Sequence, residues 1–180
     1  MASLAGFIPK LAEQLGVKSS TLDERQKALV RAGLLAAKPG RGPGSGVKAT
    51  PDSVAMMLIS MLAPSGLAKT HLETKAIAKL KSRESSDSRQ DWRPCPLTGQ
   101  KTFGAAVSAI LKDESIASRV HAVHVNQYGS DFWASLSYDG QGLSYFGPAP
   151  WLVPVSPIEK SITLLLSLNR LAIDLKEHNK

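Results

Sequence analysis

Cysteine is nearly absent: Cys95 stands alone among 180 residues. A single thiol excludes an internal disulfide framework and a cysteine-based zinc site. Flanked by Pro94 and Pro96, it reads as an inert loop thiol. Long apolar runs are missing too. The longest, Val54–Leu62 and Ile162–Leu168, are far too short to span a bilayer. The opening residues, Met1-Ala-Ser-Leu-Ala-Gly, place no basic segment ahead of an apolar one, so no secretory signal is read there. These absences predict a soluble, cytoplasmic protein that makes no membrane contact.

The usual marks of catalysis are also lacking. The glycine-rich stretch 40–46 is not closed by Gly-Lys-Ser/Thr and follows no buried strand, so it is not a phosphate-binding P-loop. His121 and His124 lie three apart in a predicted strand, which points them to opposite faces, and neither has an acidic or cysteine neighbour suited to a metal. No serine sits in a G-x-S-x-G setting. No cofactor, no metal and no covalent chemistry are expected; the chain reads as a binding protein, not an enzyme.

Negative charge is scarce where it matters. The net charge is +7, and it is unevenly spread. Residues 1–50 carry eight Lys/Arg against three Asp/Glu, residues 51–100 seven against five, and residues 101–180 seven of each. A basic N-terminal module joined to a neutral one suggests a polyanion binder carrying a second domain.

Local signals divide the chain. A helix is read over Leu4–Leu15, beginning near Phe7 or kinking at Pro9, and Gly16 ends it. A second helix is read over Ser20–Ala32, with capping-box spacing at Ser20/Asp23 and Thr21/Glu24 and with Gly33 as its C-terminal cap. Leu34–Ala37 suggests a short strand before the irregular loop Lys38–Gly46. Thr50-Pro51-Asp52 starts a nearly all-apolar helix over Val54–Leu62. After Pro64-Ser-Gly66, a helix over Leu67–Lys81 aligns Leu72, Ala76, Ile77 and Leu80. Ser82–Pro96 is polar and proline-bounded, the best linker candidate. Thr102–Lys112 then reads as a helix, Arg119–Gln127 and Phe132–Tyr138 as strands, and Asp139–Gly142 as a turn into a third strand, Leu143–Phe146. Phe132, Ala134, Leu136 and Tyr138 share one strand face. A proline-rich bend at 148–154 leads to a long helix from Ser156-Pro157 to Lys176. Its two apolar stripes, Ile158/Ile162/Leu165 and Leu164/Leu168/Leu171/Leu175, suggest one face on the sheet and one on a second copy. The aromatics Trp133, Tyr138, Tyr145, Phe146 and Trp151 fit either a small sheet core or a ligand pocket.

The expected fold is therefore α+β. A first domain spans 1–50, helical connector or dimerisation elements 51–81, a linker 82–96, and a small antiparallel sheet packed with a long C-terminal helix 97–180.

The informative stretch is Leu11-Ala-Glu-Gln-Leu-Gly-Val-Lys-Ser-Ser-Thr-Leu22. Ala12 is small where two helices would touch, Gly16 takes a left-handed turn, Val17 plugs the gap, and Leu22 and Leu29 hold the second helix on the first. Ala28–Leu35, A-L-V-R-A-G-L-L, then precedes the Gly/Arg/Lys loop at 38–48. The block over residues 4–62 resembles the winged helix-turn-helix of bacterial transcriptional regulators, and more narrowly regulators of prophages and other mobile elements. Residues 97–180 resemble no family.

The resemblance implies double-stranded DNA as partner, read by the second helix in the major groove. By position, Ser19, Ser20 and Glu24 would face bases. Lys18, Thr21, Arg25, Lys27 and Arg31 would face phosphates, as would Lys38, Arg41 and Lys48 of the wing. Asp23 and Glu24 weaken the electrostatics of this face or act as caps. The expected activity is that of a dimeric transcriptional regulator whose C-terminal part dimerises or senses a protein partner. The alternatives are a phage or mobile-element DNA-handling factor, such as a packaging small subunit or an excision factor, and a ligand-binding C-terminal domain targeted by the helix-turn-helix.

Overall fold

Caps and glycines set the first two helices. In the computed structural model, which describes residues 2–40, 45–83, 92–148, 160–164 and 168–180, α1 spans Leu4–Leu15. The Ser3 hydroxyl caps it by accepting the Gly6 N–H at 3.1 Å. The helix starts at Leu4 and runs through Pro9; Ala5 and Pro9 are both exposed, so the carbonyl that proline cannot bond faces solvent. Gly16 takes φ 64°, ψ 30°, and Val17 donates to the Ala12 carbonyl across the turn at 3.0 Å. Helix α2 follows over Ser19–Arg31. The expected capping boxes do not form. The N-cap is Lys18, in extended conformation, and no side chain caps the helix. Starting one residue earlier than read, the helix takes Asp23 and Glu24 beyond capping reach of its first turn. At the other end, Gly33 at φ 70° lets Leu34 N–H reach the Leu29 carbonyl and Gly33 N–H the Val30 carbonyl, a Schellman closure.

A two-residue antiparallel pair follows, β1 (Ala37–Lys38) with β2 (Gly46–Val47). The strand is thus shorter and later than the 34–37 reading. Helix α3 (Pro51–Leu62) starts where Thr50-Pro51 predicts. Thr50 accepts from Ser53 N–H at 3.2 Å, and Ser53 Oγ accepts from Thr50 N–H at 2.9 Å. This helix is buried nearly all round and packs against α2, α4 (Thr70–Ala78) and α5 (Phe103–Lys112). Helix α4 is shorter than read, and its buried face is Thr70, Glu73, Thr74 and Ile77. Leu72 is 60% exposed and Ala76 is exposed, because the helix begins three residues later and turns a polar stripe inward.

The second half is built on a five-stranded antiparallel sheet of order β3-β6-β5-β4-β7. The strands are β3 (Ser82–Arg83), β4 (Val120–Tyr128), β5 (Asp131–Tyr138), β6 (Gly142–Phe146) and β7 (Lys160–Leu164). Val123 and Val125 lie opposite Leu136 and Ala134, and Ala134 opposite Phe146. These residues are buried, and the Phe146 ring meets Phe103 of α5 edge-on at 5.2 Å. Tyr138 is half-buried near Ser144, Trp133 and Tyr145 pair at 6.3 Å, and Trp151 lies outside the described residues. Both ends of the stretch read as a linker are ordered parts of this unit. Ser82–Arg83 is the edge strand, and Cys95 is buried with its thiol 3.4 Å from Ser144 Oγ. Residues 84–91 lie outside the described residues. One continuous hydrophobic cluster runs from Leu4 to Leu175.

The C-terminal region departs most from expectation. The helix expected from Ser156-Pro157 to Lys176 does not run through as one element. Residues 160–164 form β7, antiparallel to β4 with Val125 opposite Ile162, and the short helix α6 (Glu114–Ala117) precedes β4. The final helix, α7 (Leu168–His178), is correspondingly short. Its apolar face, Leu168, Leu171 and Leu175, is buried within the chain against α1, α5 and α6. The split stripe that suggested a second copy therefore does not exist as one helix; its Leu164 belongs to the strand, and Ile158 and Leu165 lie outside the described residues. Helix α7 also ties itself to the start of α1 and to the segment after β2. Ala2 N–H donates to Asn179 Oδ1 at 3.2 Å, Asn179 Nδ2 donates to the Ala49 carbonyl at 2.7 Å, and the His178 ring lies 5.2 Å from that of Phe7. No helix among the described residues is long and apolar enough to cross a membrane.

Candidate nucleic-acid interface

The α1–turn–α2 unit holds together as its residue types dictate. Leu11, Ala12, Leu22 and Leu29 are buried, and Val17 packs on the core beside them. With Leu22 and Leu29 inward, the opposite side of α2 carries Ser20, Glu24, Lys27 and Arg31, spaced i, i+4, i+7, i+11, and all are exposed. Lys18 is exposed at the start of the helix; Ser19 and Thr21 are half-buried. Because Lys18 cannot cap, the first N–H groups of α2 have no side-chain acceptor, and this positive helix end is open to an anion.

The β1–β2 pair stands beside the C-terminal half of α2. Between them lies a groove of about 530 Å3 lined by Gln26, Lys27, Val30, Arg31, Ala37, Gly46 and Val47. Lys27 and Arg31 form its charged wall, and the Arg31 guanidinium is steadied by a 3.3 Å hydrogen bond from Nε to the Lys27 carbonyl. Lys38 is exposed on β1. Lys48, just past β2, is half-buried, and its carbonyl accepts from Ser53 Oγ at 2.7 Å. Arg41 lies outside the described residues.

Arg25 does not belong to this surface. Its Nη1 donates to the Ser60 carbonyl of α3 and, at 2.5 Å, to Thr70 Oγ1 of α4. Burial pulls the guanidinium below its ordinary pKa, and the negative charge of Glu73 pushes back. Glu73 is itself buried and accepts the Ser65 N–H at 2.9 Å. Arg25 is thus a brace between α2, α3 and α4, not a phosphate contact. Its spacing carried the signal: it lies three residues after Leu22 and four before Leu29, on the inward side of the helix.

The remaining chemical groups stay apart. His121 Nε2 accepts the Gly140 N–H at 3.1 Å at the hairpin tip, while His124 lies opposite Ser135 within the sheet. Among the described residues no cluster of three or more His, Cys, Asp or Glu could hold a metal ion. Comparison of the chain with protein-family models, with curated proteins and with solved structures finds no match.

Proposed function

We propose that the chain binds double-stranded DNA as a transcriptional regulator, through α2 and the adjoining hairpin acting as a winged helix-turn-helix. The observation that carries this reading is the exposed stripe Ser20, Glu24, Lys27 and Arg31, whose cationic half borders the groove beside the hairpin. The open N-terminus of α2 would lie near base edges and flanking phosphates, with Ser20 and Glu24 as readers and Lys18 as a phosphate contact. Glu24 accepts only, so it would select against positions lacking a donor such as the cytosine amine. Lys27, Arg31 and Lys38 would follow the backbone on either side of the groove. Regulation would then work by occupying a promoter.

The test is fluorescence anisotropy with labelled duplexes selected from genomic fragments, repeated over a range of salt. Lys27→Ala with Arg31→Ala should weaken binding and flatten the slope of log K against log salt by about two, one for each lost phosphate contact. Ser20→Ala should instead change which duplexes are preferred. An unchanged slope in the double variant overturns the assignment of this face.

A further inference from the structure

Helix α2 has a second flank, turned away from the hairpin. There Ala28, Arg31 and Ala32 face Leu67, Ala68 and His71 at the entry to α4, across an open groove of about 610 Å3. The groove lies at the end of α4 away from β3. Its shape follows from residue size. Three of its six lining side chains are alanine, so the two helices that Arg25 braces together leave a trough on this side instead of a packed seam. Apolar side chains stand exposed along it. Leu67 lines the groove at 39% exposure, and Leu72, one turn after Ala68, is 60% exposed. These are two of the four large apolar side chains exposed among the described residues, and their closeness marks a patch instead of scatter.

The polar groups on the rim are donors. Arg31 is exposed, and its Nε bond to the Lys27 carbonyl holds the guanidinium with its Nη edge open to a carboxylate. His71, half-buried, offers a ring N–H in either neutral tautomer. Lys75 is exposed one turn beyond His71 on the same side of α4. Among the described residues no carboxylate lines the groove. Glu73 of α4 turns inward to the Ser65 N–H, and Glu24 of α2 stands one turn before Ala28, outside the lining. An apolar trough rimmed by donors selects a partner that is apolar on one side and acidic on the other. A second copy fits poorly. Symmetric pairing of this face would set one cationic rim against another, in a chain that carries +7 overall.

We propose that this groove docks an acidic amphipathic helix of a partner protein, with a bulky apolar side chain over the alanines beside Leu67 and a carboxylate on Arg31. The inference does not rest on DNA binding. Arg31 also borders the groove beside the hairpin, so the peptide titrations below contain no DNA.

The probe is a fluorescein-labelled peptide of about 15 residues, long enough to form a helix on binding, with leucines at helical spacing and glutamates on the other face. Its binding to the full chain is followed by anisotropy and mapped by amide NMR shifts. The shifts should centre on the α2 and α4 walls, from Ala28 to Ala32 and from Leu67 to His71. A peptide with lysine in place of each glutamate, or alanine in place of each leucine, should bind at least about tenfold more weakly. Ala68→Glu sits at an exposed position just before α4, where an acid suits the helix dipole, so the fold should hold by circular dichroism while peptide binding weakens at least about tenfold. Leu67→Ser should weaken it about fivefold. No binding of the glutamate peptide, or shifts centred elsewhere, overturns the site. Equal binding of the lysine peptide overturns the acidic partner. A loss of duplex affinity in Ala68→Glu with no peptide binding would give the groove to nucleic acid, and a change in mass by light scattering would give it to a second copy; either overturns the proposal.

Discussion

Arg25 gives the sharpest test of how the N-terminal helices are held. Arg25→Ala removes a charged donor from the Ser60 carbonyl and the Thr70 hydroxyl and leaves Glu73, 8% exposed, without its nearby counter-charge. A hydrogen bond from a charged group contributes about 1.5–3 kcal/mol when buried. Arg25 is half-buried, so each bond is placed at the low end, and the loss of charge compensation at Glu73 adds to them. The expected cost is about 2–4 kcal/mol, a large fraction of an ordinary domain's stability. For a chain of this size that lowers Tm by about 4–16 °C. Urea denaturation followed by circular dichroism measures it. Arg25→Lys should recover only part of the loss, because one ammonium lacks the planar fork. In a Thr70→Val background, Arg25→Ala should cost less by about 0.5–2 kcal/mol, the coupling of contacting groups. A cost below about 0.5 kcal/mol, or a flatter salt slope in DNA binding with stability intact, would turn the side chain outward and undo the brace.

Two other outcomes follow. Arg119 Nη2 meets Asp139 Oδ2 at 2.5 Å, and this hydrogen bonding, aided by the Arg119 charge, lowers the Asp139 pKa. The contribution of this pair is present above the ordinary carboxylate range and is lost as pH falls through the depressed value; a carbon NMR titration should find the Asp139 midpoint low in the native chain and restored by Arg119→Ala, and an equal midpoint in both would rule the pairing out. Cys95, 1% exposed, should react with a thiol reagent only after unfolding, at a rate tracking global opening, so that rapid labelling of the native protein would contradict its burial.

Where a local signal and the tertiary environment agree, the sequence reading and the structure coincide. Thr50-Pro51, Thr102 and Gly33 mark helix ends because each satisfies a backbone group whatever lies further away. The turn at 139–142 is similarly local, with Asp139 at φ 49° and Gly140 at φ 77°. The C-terminal region misled because Ile158, Ile162 and Leu165 have helical spacing while Ser161-Ile162-Thr163 also suits a strand. The open edge of β4 decided between them, and no local pattern encodes that edge. The capping boxes failed for a smaller reason, a one-residue shift in the start of α2. Of the residues expected to face DNA, the exposed stripe followed from the positions of Leu22 and Leu29. The inward turn of Arg25 required knowing that α3 and α4 wait on that side.

The union of Asn179 with Ala2 and Ala49, and of His178 with Phe7, bears on the order in which the protein can be completed during synthesis. Translation delivers α1 well before α7. At about 5–20 residues per second, about 8–30 seconds separate the emergence of the first helices from that of the helix that covers them. Through that interval the nascent chain presents the rim of Phe7 to solvent, so early helix formation cannot by itself yield a finished N-terminal half. Emergence of α7, rather than the appearance of α1 and α2, becomes the event that commits the first 50 residues to their final packing.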